Sequence, residues 1–119
     1  MSFKEYDNYD ALGLAELVKN KEVSAEELLE EAMQRTEKVD DQINAVVLKH
    51  YDEAKAMIKD GLPEGPFTGV PYLLKDLHVL LTGTKTTYGS KFFKDYVADH
   101  NSTLVDRYLE AGLVIFGKT

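Results

Sequence analysis

Cysteine and tryptophan are both missing from the 119 residues, and proline occurs only three times. Without cysteine there is no disulfide and no thiolate metal site, and the absence fits a reducing cytoplasm. No apolar run approaches the ~18 residues that a membrane span needs. The opening Met1-Ser2-Phe3-Lys4-Glu5-Tyr6-Asp7 also lacks the apolar segment of a signal peptide, so the expected location is cytoplasmic. Positive charge is in deficit as well: 14 basic against 21 acidic residues give a net charge of −7. That balance opposes nonspecific attraction to nucleic acid or anionic membrane, and neither is expected as a partner. What is present, 44% hydrophobic and 29% charged residues, is the composition of a globular chain long enough for one domain at most.

Helical patterning dominates the first half. Asp10 is placed to cap a short helix over 10–20 that turns Leu14, Leu17 and Val18 inward. Ser24-Ala25-Glu26-Glu27 is a capping box, in which a serine hydroxyl and a glutamate carboxylate each accept the other residue's amide. It opens a second helix with Ala25, Leu28, Leu29, Ala32, Met33 and Thr36 on its inner stripe and Glu26, Glu30, Glu31, Arg35 and Lys38 on a solvated face. Residues 40–44 read as a turn, Ala45 to Leu48 as a brief strand, and Tyr51 to Lys59 as a third helix.

Gly61-Leu62-Pro63-Glu64-Gly65-Pro66 then interrupts regular structure and separates a mainly helical lead-in, residues 1–60, from the start of a sheet core over 66–119. Val70 to Asp76 reads as a strand buried on both faces, of the kind found in the middle of a helix-covered sheet. Residues 82–90 form a hydroxyl-rich loop with backbone freedom. A fourth helix from Asn101 or Ser102 buries Leu104, Val105, Tyr108 and Leu109 and is closed by Gly112 in a left-handed conformation. Leu113 to Phe116 follows as a strand, and strand, helix, strand in that order predict parallel pairing in an α/β sheet.

Gly117-Lys118-Thr119 looks like the tail of a phosphate-binding loop but fails on spacing, because strand residues occupy the positions where loop amides should cradle phosphate. His50, His78 and His100 are far apart and none is four residues from another, so no metal and no cofactor is expected. Lys75 stands out. A lysine in apolar surroundings loses hydration of its charged form, its pKa falls from ~10.4, and the neutral amine can act as a base. On the residues alone that reading competes with a partly buried lysine paired with a carboxylate such as Asp76.

The run Gly65-Pro66-Phe67-Thr68-Gly69-Val70-Pro71-Tyr72-Leu73-Leu74-Lys75-Asp76 is followed by Gly83, Thr86-Thr87 and Gly89-Ser90, and finally by Ala111 to Thr119. In order and spacing these landmarks resemble the N-terminal third or quarter of the amidase signature enzymes, and residues 10–60 resemble the family's opening segment. Asp76-Leu77, Tyr88-Gly89-Ser90 and Ile115-Phe116-Gly117 look closer to the cyclic-dimer hydrolases of nylon oligomers than to the tRNA-dependent amidotransferase subunit. The resemblance implies an α/β/α mixed-sheet fold, of which this chain supplies the helical lead-in and the first strands with their crossover helix. It further implies hydrolysis of a small-molecule carboxamide. In the family the lysine matching Lys75 is neutral and takes a proton, through a bridging serine on a cis peptide bond, from the attacking serine, while glycine-rich backbone amides hold the oxyanion.

No segment here matches the Gly/Ser-rich run that carries those serines; Ser90 and Ser102 are expected in loop and helix-cap roles. An acyl-transfer site without nucleophile and oxyanion donors loses most of its transition-state stabilisation, so the 119 residues alone are expected to be inactive. A sheet of two or three strands leaves edges open, and self-association through 70–76 or 113–116 is expected. The alternative functions are a noncatalytic binding module and part of a tRNA-dependent amidotransferase.

Overall fold

The computed structural model describes residues 3–119; Met1 and Ser2, the first two residues of the opening segment that lacks signal-peptide character, lie outside the described residues. Among the described residues no helix is long and apolar enough to cross a membrane. After a 3-10 turn at Lys4–Asn8 come α1 (Ala11–Lys19), α2 (Ala25–Ile43), β1 (Leu48–Lys49), α3 (Tyr51–Asp60), β2 (Pro71–Leu74), a second 3-10 turn (Lys91–Phe93), α4 (Thr103–Glu110) and β3 (Val114–Lys118).

The predicted N-caps of α1 and α2 are in place. Asp10 Oδ1 accepts from the Gly13 amide at 2.8 Å. Ser24 and Glu27 exchange bonds of 3.1 and 2.8 Å, satisfying amides that a helix start otherwise leaves unpaired. α2 runs through the expected turn at 40–44 and stops at Asn44, which takes the left-handed conformation (φ 49°). There the Asp40 carboxylate catches the amides of Ala45 and Val46, both at 2.9 Å, and so directs the chain into β1. Glu31 is not on a solvated face: it is 6% exposed and bonded to Arg35 Nε at 2.7 Å.

The three strands lie in the order β1-β3-β2, so the first and second halves of the chain share one sheet. β3 is the centre, antiparallel to β1 and parallel to β2 as the strand-helix-strand order predicts. Val114 and Phe116 pack with Leu29, Ala32, Met33 and Ala54 of α2 and α3, while Ile115 packs with Leu74 and with Val105 of α4. Helices therefore cover both faces, giving an α/β/α arrangement. Among the described residues β2, expected in the middle of a sheet, pairs with β3 on one side. It has four residues, the first three half-buried, and Pro71 has no N–H for a second neighbour at that position. Of the segments expected to self-associate, 113–116 is buried within the chain. In α4 Leu104 is 46% exposed rather than buried.

Two glycines are dictated by packing. Gly112 has φ 90°, and a Cβ there would sit 2.5 Å from Thr68. At Gly117 a Cβ would lie 2.6 Å from the Leu48 carbonyl oxygen of β1. Beside Gly117 the β2–β3 register slips: Tyr72 pairs with Ile115 but Leu73 pairs with Gly117, leaving Phe116 as the extra residue of a bulge. Strict alternation would put Lys118 on the face of Val114 and Phe116. The inserted residue moves it to the other face, beside its partner Leu74.

Candidate active site

Lys75 follows the last residue of β2, where the ladder runs one step further than the strands. Thr119 N donates to Leu74 O, and Asp76 N donates to Thr119 O, both at 2.8 Å. The backbone on either side of Lys75 is thus pinned to the central strand, at the carboxyl ends of two parallel strands where open α/β sheets place their chemistry. The Lys75 side chain is exposed on the surface formed by residues 3–119. The water-poor setting that a neutral amine requires is not supplied by these residues.

Asp76 points the other way and is 7% exposed. Its Oδ1 accepts from the Thr87 amide at 2.7 Å, and its Oδ2 accepts from the Thr87 hydroxyl. A carboxylate that accepts from one residue's amide and hydroxyl together fixes the loop above it. The carboxylate suggested as a partner for Lys75 is therefore committed to Thr87.

The loop over 82–90 has less freedom than its composition implies. It runs against 96–98, with Gly83 N donating to Ala98 O (2.8 Å), Ala98 N to Thr84 O (3.0 Å) and Thr86 N to Tyr96 O (3.1 Å). Tyr88 and Gly89 both have positive φ, 55° and 66°. This turn sets the Tyr88 ring between His78 and Phe93, with centroid separations of 5.6 and 5.3 Å. A left-handed tyrosine is uncommon and costs energy that the ring contacts help to offset.

Beneath the loop lies a residue to which sequence reasoning gives no role. Lys118 has 0% exposure, and its Nζ donates to Thr84 Oγ1 at 2.9 Å, to Thr86 Oγ1 at 3.0 Å and to the Lys85 carbonyl. An ammonium has three N–H groups, and all three find oxygen. Thr84 in turn donates its hydroxyl to Leu81 O at 2.7 Å. Burial pushes the Lys118 amine below the usual lysine range, opposed by the nearby Asp76 carboxylate. The signal available in the sequence is a lysine in an apolar strand, the same feature that singles out Lys75, but the likeness of residues 117–119 to a phosphate loop draws attention away from it. As the spacing argument against that loop requires, Gly117 and Lys118 are strand residues.

The remaining candidates do not converge on Lys75. The Ser90 hydroxyl accepts from Phe92 N at 3.2 Å. Ser102 is at the N-cap of α4 but does not cap it; its hydroxyl accepts from Leu80 N at 2.9 Å and donates to His78 O. His50 is 6% exposed before α3, and its Nε2 has no hydrogen-bond partner among the described residues. Burial, with the Lys118 charge adding to it, pushes its imidazole below the ordinary histidine range, against the pull of Glu53 and Asp76. His78 and His100 are exposed. Among the described residues no three side chains of metal-ligating type come together. A groove of about 230 Å³ between α2 and α3, lined by Glu26, Leu29, Glu30, Met33, Lys55 and Ile58, shares no residue with the Lys75 region.

Known proteins resemble this chain in sequence and in fold. A 6-aminohexanoate-cyclic-dimer hydrolase of Paenarthrobacter ureafaciens is 43% identical over 112 residues, covering 92% of this chain and 22% of that protein. A glutamyl-tRNA(Gln) amidotransferase subunit from Thermoanaerobacter pseudethanolicus is 35% identical over 113 residues, 89% of this chain and 23% of its own length. A solved structure of a 6-aminohexanoate cyclic dimer hydrolase superposes with a TM-score of 0.86 at 42% identity, across 93% of this chain and 23% of that one. The chain thus spans under a quarter of the length of these relatives, and the ranking of hydrolase over amidotransferase follows the one its residues suggest. The fold of these neighbours agrees with the family assignment, and since the sequence model of the Amidase family matches residues 27–119, the chain belongs to the amidase family.

Proposed function

We propose that this chain is the N-terminal part of an amidase that hydrolyses the C–N bond of a small carboxamide, with Lys75 as the proton acceptor of a serine–cis-serine–lysine mechanism. The observation that carries this reading is the position of Lys75: it follows β2 directly, beside β3, its neighbours Leu74 and Asp76 are both bonded to Thr119, and its side chain is not consumed by the adjacent carboxylate. A base that must take a proton near neutral pH has to be a lysine kept uncharged by burial. In the intact enzyme, the portion of the amidase domain outside the matched quarter provides that cover together with the two serines. Ser24, Ser90 and Ser102 support this division, since each hydroxyl is engaged in holding local structure.

The reading is tested by expressing the complete product of the reading frame that contains Lys75 and following ammonia or amine release from simple amides and from the cyclic dimer of 6-aminohexanoate. Lys75→Ala is expected to reduce kcat by several orders of magnitude, and turnover that persists in the variant would refute the assignment. The 119 residues alone are expected to be inactive; amide turnover by them that disappears with Lys75→Ala would overturn that part. The 35% identity to an amidotransferase subunit favours a second reading, action within a complex on charged tRNA, which requires partner proteins to co-purify. A frame that stops after Thr119 would favour a noncatalytic module.

A further inference from the structure

We infer that Lys118 is a positioning residue, whose buried ammonium clamps the 84–87 segment and, through Thr87 and Asp76, holds the backbone that presents Lys75. Its catalytic meaning rests on the reading of Lys75 as the base, but the clamp is a property of this chain. Each link is a direct bond. Lys118 Nζ holds Thr84, Lys85 and Thr86; the next residue, Thr87, donates twice to Asp76; and Asp76 is the neighbour of Lys75 and shares Thr119 with Leu74.

Electrostatics favour a clamp over a mere space-filler. The three acceptors are neutral oxygens, so the charge is compensated at longer range by Asp76, with His50 as the other titratable group close enough to be felt. An apolar side chain of similar length would avoid the desolvation cost, but it would leave the Thr84 and Thr86 hydroxyls and the Lys85 carbonyl without their donor and Asp76 without its counter-charge, a loss that destabilises the fold. What an apolar group cannot do is direct three bonds at once onto consecutive loop residues. The bulge at Phe116 belongs to the same design, because it carries Lys118 onto the face where that loop lies.

The clamp is tested on the 119-residue chain with Lys118→Met, which keeps the length of the side chain and removes the donors. Amide exchange at Thr87 is expected to accelerate at least ~10-fold, and the backbone order parameters of Lys75 and Thr87 to fall from ~0.85 toward 0.6, more than those of α2 and α3, while the urea midpoint falls because the acceptors of Lys118 lose their donor. In the parent chain the Lys118 ammonium is expected to give a slowly exchanging proton–nitrogen signal at neutral pH. Thr86→Val should weaken that signal and Thr86→Ser restore it. Unchanged exchange and order at Thr87 and Lys75, or a loosening that is uniform across all amides, would reduce Lys118 to packing and overturn the inference. Should Lys118→Met fail to fold, Thr84→Val and Thr86→Val decide the matter, since each removes one acceptor and must loosen Thr87 if the clamp exists. None of these readouts involves turnover, so a failed clamp leaves the amidase reading standing, and an inactive full-length enzyme leaves the clamp standing.

Discussion

Gly117→Ala probes the join between the two halves of the chain. The new Cβ would lie 2.6 Å from the carbonyl oxygen of Leu48 and 3.1 Å from side-chain atoms of Leu73 and Val46, whereas non-bonded carbons settle at ~3.5–4.0 Å. The side chains can yield by tenths of an ångström, but Leu48 O is backbone of the two-residue β1, so β1 has to move. Moving it strains the bonds from Val47 N to Lys118 O and from His50 N to Phe116 O, both 2.9 Å, worth ~1 kcal/mol each. Overpacking adds ~1–3 kcal/mol, so the expected loss is on the order of 3 kcal/mol, or roughly 10 °C in melting temperature for a domain of this size. Thermal unfolding followed by circular dichroism measures it, with Gly13→Ala in α1 as the control, where the added Cβ makes only tight side-chain contacts of 3.1 Å and longer. A Gly117→Ala midpoint within 2–3 °C of the parent, a change of less than ~1 kcal/mol, would refute the claim that β1 sits on β3 as closely as only glycine allows. The same variant should disturb Lys118, which follows Gly117 and whose carbonyl accepts from Val47 N of the displaced segment.

The depressed pKa of His50 makes stability sensitive to mild acid. The unfolded chain takes up a proton near pH ~6.5 while the folded imidazole resists until lower pH, so the unfolded state binds more protons in that window and stability falls as pH drops through it. His50→Leu should shrink the difference between urea midpoints at pH 7.5 and pH 5.5; an unchanged difference would show that the buried imidazole is not its source. The open edge of β2, with Phe92 87% exposed nearby in sequence on the 91–93 turn, leads us to propose that the chain self-associates. A concentration-dependent mass above 13.4 kDa is expected by light scattering, and a single monomer mass at high concentration would contradict it.

Legibility in the sequence follows the range of the forces involved. The caps at Asp10 and Ser24, the stripe of α2 and the left-handed Gly112 rest on residues within a turn of one another, and the pattern of side chains states them directly. The parallel pairing of β2 with β3 rests on chain order, which is also written in the sequence. What escapes depends on partners far along the chain. The full length of α2 is hidden because Asp40 looks like a turn residue until its carboxylate is seen holding the amides of Ala45 and Val46. The apolar content of β2 marks it as a sheet strand, but that β3 has β1 as its second neighbour among the described residues depends on Leu48 pairing with the distant Lys118. The site shows the same division. Lys75 can be found because its surroundings in sequence are distinctive. Lys118 is marked only as a lysine in an apolar strand, and its face is hidden, because a strand's alternation gives the face only until a bulge intervenes. The bulge at Phe116 is set by Leu73 pairing with a residue 44 positions away, so the face on which a buried lysine meets its loop is fixed by tertiary contact and by nothing adjacent to it.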